Sequence, residues 1–129
     1  MRVALLILLG LVIGVIGTVN VVGALNARNP MPKAVMTTMD YHMGQLSHAL
    51  KAGQCNAVSS KQHLQRLQST ATDIMPVFGV TEKPFDEAAT RLQTRLDQAL
   101  QSAPVDCPAL AAAIKPIGDA CKSCHQKYR

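Results

Sequence analysis

Two cysteines and a histidine near the C-terminal end constrain the fold of this chain more than any other feature. They occur in the order Cys121, Lys122, Ser123, Cys124, His125. Positions i and i+3 share one face of a helix, so both sulfurs can reach one edge of a flat ligand while the next side chain turns toward its centre. Each thiol can add across a haem vinyl group, and the imidazole can bind the iron. The motif therefore predicts one covalently bound haem c with His125 as an axial ligand.

Two other chemistries use closely spaced cysteines. A structural zinc site needs four ligands and usually a second paired cluster, which this sequence lacks. A redox-active thiol pair sits at the start of a helix in a strand-helix-strand pattern, where the helix dipole lowers a thiol pKa. Here the pair falls near the end of a helical segment in a chain with no convincing strand. A haem-free thiol or metal protein is therefore the weakest alternative.

The N-terminal segment 1–25 is strongly apolar. Val3 to Leu25 is a run of 23 residues without a charge, which is long enough to cross a bilayer. A cleaved secretory signal has a shorter apolar region that ends at small residues, and Val22-Gly23-Ala24 fits such an end. Length favours an uncleaved membrane anchor over a signal segment. Arg2 on the short side predicts that the rest of the chain lies outside the cytoplasm.

Apolar residues recur every three or four positions in four segments that follow a linker at 26–32. The predicted helices span 33–52, about 59–75, 85–102 and 108–128, with Ser59 or Ser60 capping the second. Pro76 is predicted to end the second helix, and Pro116 to kink or break the fourth. Four helices with short connections imply an all-α, antiparallel up-down-up-down four-helix bundle over residues 33–129.

Composition narrows the range of functions. Aromatic residues make up only 3% of the chain, so Leu, Ala, Met and Val must form the core. The net charge of +5 is spread without a basic run, which argues against nucleic acid and is weak support for an acidic partner. No nucleophile, base and orienting group are arranged for catalysis. The sequence therefore predicts a protein that is not an enzyme.

Cys55 and Cys107 remain after the haem pair is assigned. They fall in the connections after the first and before the fourth predicted helix, which lie at the same end of the bundle. Outside the cytoplasm a disulfide is the favoured interpretation, with two free thiols as the alternative. Closing this loop would stabilise the fold by about 4 kcal/mol in the chain-entropy model.

The bundle topology also suggests a sixth iron ligand. The first and fourth helices are antiparallel neighbours, so Met36 lies beside His125. A methionine at helical spacing commonly packs in a core instead, and Met39 and Met43 lie about 4.5 Å and 10 Å deeper along the helix. Ligation by a second histidine is a further alternative, with three candidates: His42, His48 and His63.

The stretch from Ala120 to Arg129 resembles the closing signature of the class II cytochromes c, the cytochrome c′ family. Residues 36–44 are similar to the family's opening helix, with His42 and Gly44 as register marks. The resemblance implies that Met36 occupies the distal haem position, which holds a ligating methionine in low-spin members and a non-ligating apolar residue in high-spin members. It places Arg129 near the proximal face, with a surface arginine as the alternative. Tyr128 and Met39 are predicted to lie around the haem.

The sequence departs from the family pattern at three points. Most members lack an anchor, Pro116 interrupts the last helix, and an arginine often found before the distal position has only Lys33 or Arg28 as a substitute. The second departure affects the straightness of the last helix, and the third affects contacts to the haem propionates.

These features together predict a monohaem c-type cytochrome that carries single electrons, with iron bound by His125 and Met36. The resemblance implies the bacterial inner membrane with the domain in the periplasm, or a soluble periplasmic protein if the N-terminal segment is cleaved. Expected partners are redox proteins of a respiratory or related electron-transfer chain, and similar bundles often form homodimers. The alternative function is a high-spin or ligand-displaceable haem protein that binds nitric oxide or carbon monoxide.

Overall fold

The computed structural model describes residues 2–26 and 29–128, with side-chain surroundings for 7–24 and 29–128. Within these residues the secondary structure is helical and no strand occurs. The helices are α1 (Arg2–Asn26), α2 (Met31–Ala52), α3 (Ala57–Ala71), α4 (Ile74–Phe78), α5 (Lys83–Ser102) and α6 (Cys107–Tyr128). The chain divides into two compact units between Pro30 and Met31.

The first unit is built on α1, an apolar helix whose described side chains are exposed. Its stretch Ile7–Ala24 has a mean hydropathy of 2.3 over 18 residues. The polar side chains inside it are satisfied locally, because Thr18 donates to the Gly14 carbonyl at 2.8 Å and Asn20 to the Ile16 carbonyl at 2.7 Å. Internal hydrogen bonding of this kind is what a lipid environment requires. The helix meets the length and composition requirements of both a membrane anchor and a signal segment.

The second unit is the predicted four-helix bundle, formed by α2, α3, α5 and α6 with the short α4 added between α3 and α5. Two side-chain contacts show that α3 and α5 run in opposite directions. Gln68 and Asp97 join α3 to α5 at 2.6 Å, whereas Gln93, earlier in α5, reaches the carbonyl of Ala71, later in α3, at 3.1 Å. Extensive packing joins α2 to α3 and α5 to α6, whereas α2 and α6 touch over a smaller area.

Each long helix contributes leucine or isoleucine side chains to one continuous core. Burying such a side chain contributes about 1.5–3 kcal/mol, so this cluster is the main stabilising feature of the bundle. The largest fully buried side chains are Leu46, Leu64, Leu67, Leu96, Leu110 and Ile117.

Two helices begin earlier than predicted because proline is tolerated in a first helical turn. Helix α2 starts at Met31 and includes Pro32, so the predicted linker 26–32 is too long. Helix α5 starts at Lys83 and includes Pro84 rather than beginning at Phe85. A proline there lacks an N–H that would have no helical partner, and its fixed φ suits the helix.

The second predicted helix is wrong at both ends. Its cap is Asn56, whose side chain accepts a hydrogen bond from the Ser59 N–H at 3.0 Å. The helix ends at Ala71, and Pro76 lies inside α4 instead of ending a helix. In a continuous helix the Pro76 ring would clash with the carbonyl four residues earlier, so the chain leaves the helix first and re-enters it. Gly79, at φ 61°, then ends α4 in the left-handed conformation that favours glycine.

Pro116 does not break α6, which runs without interruption from Cys107 to Tyr128. The proline removes the hydrogen bond to the Ala112 carbonyl, a cost of about 3 kcal/mol in a helix interior. Burial of Ile114 and Ile117 on either side of it offsets this cost. A break at Pro116 was therefore the wrong prediction, because tertiary packing outweighs the local penalty.

The predicted disulfide is confirmed. Cys55 follows α2 and Cys107 begins α6; they are bonded, with Cα atoms 5.1 Å apart, and they are 52 positions apart in sequence. Beside it, the Asp106 side chain accepts a hydrogen bond from the Ala109 N–H at 2.8 Å and caps the start of α6.

Candidate haem-attachment site

The motif residues lie in the last two turns of α6, in the helical conformation predicted for them. Cys121, Cys124 and His125 are all half-buried. The two cysteines are free thiols, in contrast to the bonded pair at the other end of the bundle. Because positions three apart share a helix face, both sulfurs are presented on one side of α6.

Burial controls the ionisation of these thiols. It raises the pKa of Cys121, and the neighbouring Cys124 raises it further. Burial also raises the pKa of Cys124, an effect that the guanidinium of Arg91 on α5 opposes. Both groups are therefore held as neutral thiols near pH 7. When a thiol adds across a vinyl group, its sulfur bonds to one vinyl carbon as a thioether and its hydrogen goes to the other. The neutral thiol therefore supplies both atoms that the addition requires.

The core-facing stripe of α6 changes character at Ile117. The fully or nearly fully buried positions of α6 are Leu110, Ile114 and Ile117. The stripe continues at helical spacing, but its described members beyond Ile117 are only half-buried: Gly118, Cys121, Cys124, His125 and Tyr128. The half of α6 that carries the motif thus presents a partly open inner face toward the rest of the bundle.

A single contact establishes the register between α2 and α6. A Cβ built on Gly118 would meet Met43 Cε at 3.7 Å, so these two residues lie side by side. Met36 precedes Met43 by seven residues and His125 follows Gly118 by seven, which is about 10.5 Å along each helix and nearly the same helix face. In an antiparallel pair these displacements have the same direction. Met36 and His125 therefore share one level of the bundle.

Three of the four methionines of α2, Met36, Met39 and Met43, differ in their surroundings. Met39 is only 6% exposed and belongs to the core. Met36 and Met43 are half-buried and pack against the edge of that core. Met39 is thus held inside the bundle, whereas Met36 lies at its margin on the level of the motif histidine.

Tyr128 closes the site at the end of α6. Its ring packs edge-on against Phe85 of α5, with centroids 5.2 Å apart, and Lys127 Nζ lies 5.3 Å from the Tyr128 ring centroid. The buried Tyr128 hydroxyl has no hydrogen-bond partner among the described residues. Arg129, predicted near the proximal face, lies outside the described residues, as does Arg28.

These residues fit a haem group. Two half-buried thiols, an imidazole next to them, methionines on the facing helix and an orphaned buried hydroxyl supply covalent, metal-binding, apolar and polar contacts. In the described part of the chain no three His, Cys, Asp or Glu side chains are grouped to hold a metal ion.

Comparison with known families supports the same chemistry. Residues 81–129 match the cytochrome c′ family model. The matched part of the cytochrome c′ pattern covers α5 and α6 with the whole motif, and leaves out α2 with Met36. It implies a c-type haem and a protein that carries electrons or binds a small ligand rather than an enzyme. A search of curated proteins and one of solved structures each found no match.

Two residues near the motif of Cys121, Cys124 and His125 were missed by sequence reasoning. Arg91 lies close enough to Cys124 to affect its pKa, and Phe85 contacts Tyr128. Both lie in α5, which the sequence analysis treated only as a bundle helix. In the sequence, Arg91 directly precedes the core residue Leu92, and Phe85 is the first apolar residue of the α5 stripe. These positions could indicate a role near the motif only once the register of α5 against α6 was known.

Proposed function

We propose that this protein is a monohaem c-type cytochrome of the cytochrome c′ family that carries single electrons. Cys121 and Cys124 would hold the porphyrin edge, and His125 would bind the iron. When bound, the haem supplies an iron centre that cycles between ferric and ferrous states. The match over residues 81–129 and the partly open inner face of α6 around the motif support this assignment.

The observation that carries the electron-transfer proposal is the register between Met43 and Gly118. It supports Met36 as the sixth ligand, because Met36 and His125 share a level and Met36 is not enclosed in the core. Met39 lies about 4.5 Å further along α2 and is already packed. A methionine opposite a histidine favours the reduced state, and two protein ligands limit rearrangement between oxidation states. A protein with these ligands is suited to electron transfer.

Optical spectroscopy of ferric and ferrous protein tests this function with a matched pair of variants. Met36→Leu and Met39→Leu each remove one sulfur while conserving volume, so both should fold. Wild-type protein is expected to be low-spin. Met36→Leu should become high-spin and bind carbon monoxide or nitric oxide faster, whereas Met39→Leu should keep the wild-type spectrum.

Two outcomes would contradict the proposed ligand. Wild-type protein that is already high-spin, or a Met36→Leu variant with an unchanged spectrum, would leave Met36 without a role at the iron. High-spin wild-type protein that binds nitric oxide would favour the ligand-binding function instead.

We also propose that α1 is retained as an anchor, with the domain on the periplasmic side of the bacterial inner membrane. Its uncharged length and internally satisfied Thr18 and Asn20 support this location. The partners would be redox proteins on the same side of the membrane. Membrane fractionation with N-terminal sequencing tests the anchor, and a soluble form that begins near Leu25 would establish cleavage.

A further inference from the structure

His42 of α2 and His63 of α3 face each other outside the haem-attachment motif. Their Nδ1 atoms are 2.9 Å apart, and their ring planes meet at 50°. Tyr41 contacts both rings edge-on, with centroid distances of 5.0 Å to His42 and 6.5 Å to His63. The two imidazoles are therefore held together across a helix interface.

The pair opens onto a groove of about 590 Å³ at the surface between α2 and α3. Side chains with oxygen atoms line the groove beside the imidazoles: Gln62, Gln65 and Ser69. The groove is large enough to admit water molecules next to both rings. Two nitrogen ligands from the protein, with side-chain oxygen or water in the remaining positions, form the donor set of a transition-metal site.

We propose that His42 and His63 form a binding site for copper(II). If an ion bonded to both Nδ1 atoms at about 2.0–2.1 Å, their separation would give an N–metal–N angle of about 90°. A tetrahedral ion with the same bonds would need the nitrogens about 3.3 Å apart. Adjacent positions of a square-planar or tetragonal site meet at about 90°, the geometry of copper(II) and nickel(II), and copper binds more tightly of the two.

The protonation states of the two imidazoles allow copper to replace the hydrogen bond between their Nδ1 atoms. In the hydrogen-bonded pair one Nδ1 donates its proton and the other accepts it. Copper binding requires that the donating ring carry its proton on Nε2 instead, so both rings stay neutral and no proton is lost overall. Burial, His63 and Arg66 all lower the pKa of His42.

The positive charge of Arg66 should affect the affinity of the site for copper. Its guanidinium lies in the same groove and acts on His42, so it must also repel a divalent cation bound there. Removing this charge should strengthen copper binding, whereas removing either imidazole should weaken it. Copper bound non-specifically elsewhere on the chain would respond to neither change.

The test is a titration of purified full-length ferric protein in detergent with copper(II), followed by electron paramagnetic resonance. One equivalent should give a copper signal split by two imidazole nitrogens. His42→Asn and His63→Asn should each lower the affinity at least about tenfold, since each removes one of two anchoring ligands. Arg66→Gln should raise the affinity about threefold or more. The matched control is His48→Asn, because His48 lies in the adjoining groove with His63.

Thermal melting gives a second measurement that does not depend on the spectrum. Copper should raise the melting temperature of wild-type protein, and this increase should disappear in both His42→Asn and His63→Asn, provided that each folds by circular dichroism. The proposal is overturned if no copper binds, if the signal shows one nitrogen, or if the two-nitrogen signal survives in either variant. Loss of the two-nitrogen signal in His48→Asn would also overturn the proposal, because His48 would then be one of the two ligands.

Discussion

At one end of the bundle a disulfide joins Cys55, in the connection between α2 and α3, to Cys107, the first residue of α6. Leu46 and Leu110, in the adjoining halves of α2 and α6, are 1% and 0% exposed. At the other end Cys121 and Cys124 of α6 are free thiols, and beyond Ile117 the described side chains of this helix are half-buried at most.

This difference separates a part of the bundle that the chain closes by itself from a part whose inner face stays partly open around the motif. The disulfide end is closed by groups of the chain alone. The motif end combines two free thiols, methionines at the margin of the core and the buried hydroxyl of Tyr128, which has no hydrogen-bond partner among the described residues. Covalent attachment of haem would close the motif end of the bundle, as the disulfide closes the opposite end.

Removing the attachment thiols should have the largest effect. The double variant Cys121→Ala/Cys124→Ala is expected to lose thioether-linked haem completely, because both sulfurs that hold the porphyrin are gone. Mass spectrometry of the denatured protein measures the attached haem. The control is Cys55→Ser/Cys107→Ser, which should keep it. Haem that remains covalently attached to the first variant would refute the assignment of the motif.

Opening the disulfide should affect stability and leave the haem in place. In the chain-entropy model, a bond between cysteines 52 positions apart in sequence stabilises the fold by about 4 kcal/mol. Cys55→Ser/Cys107→Ser should therefore lower the free energy of unfolding by about this amount in urea titrations. An unchanged unfolding midpoint would mean that packing alone holds that end. Equal loss of attached haem in this variant would remove the contrast between the two ends.

The smallest expected effect concerns the hydroxyl of Tyr128. A buried hydroxyl without a partner destabilises a fold, so we expect it to acquire an acceptor when haem is bound. In haem-loaded protein, Tyr128→Phe should then lower the free energy of unfolding by about 1 kcal/mol. Tyr41→Phe is the control, since the Tyr41 side chain is 57% exposed. If Tyr128→Phe instead stabilises the loaded protein, the hydroxyl has no acceptor and this part of the fit is wrong.

Local sequence was sufficient for several features. Leucine spacing predicted the four long helices, because a helix must bury one stripe of its surface whichever neighbour it meets. The positions of Cys55 and Cys107 predicted their bond, since two connections at the same end of an antiparallel bundle lie close together. Local rules failed at Pro76, which they placed at the end of a helix. At Pro116 they offered a kink or a break, and the break does not occur, since packing of Ile114 and Ile117 holds the helix together.

The sequence by itself determined the chemistry that the chain can perform, because thiols and an imidazole at fixed spacing on a helix require no distant partner to be recognised. Only the tertiary structure decided which distant groups meet that chemistry. The contact between Met43 and Gly118 sets the level of Met36, and the packing of α2 on α3 brings His42 to His63. The physical reason is that periodicity specifies the buried face of a helix and leaves open how far it slides along its neighbour, which depends on side-chain packing between the two surfaces.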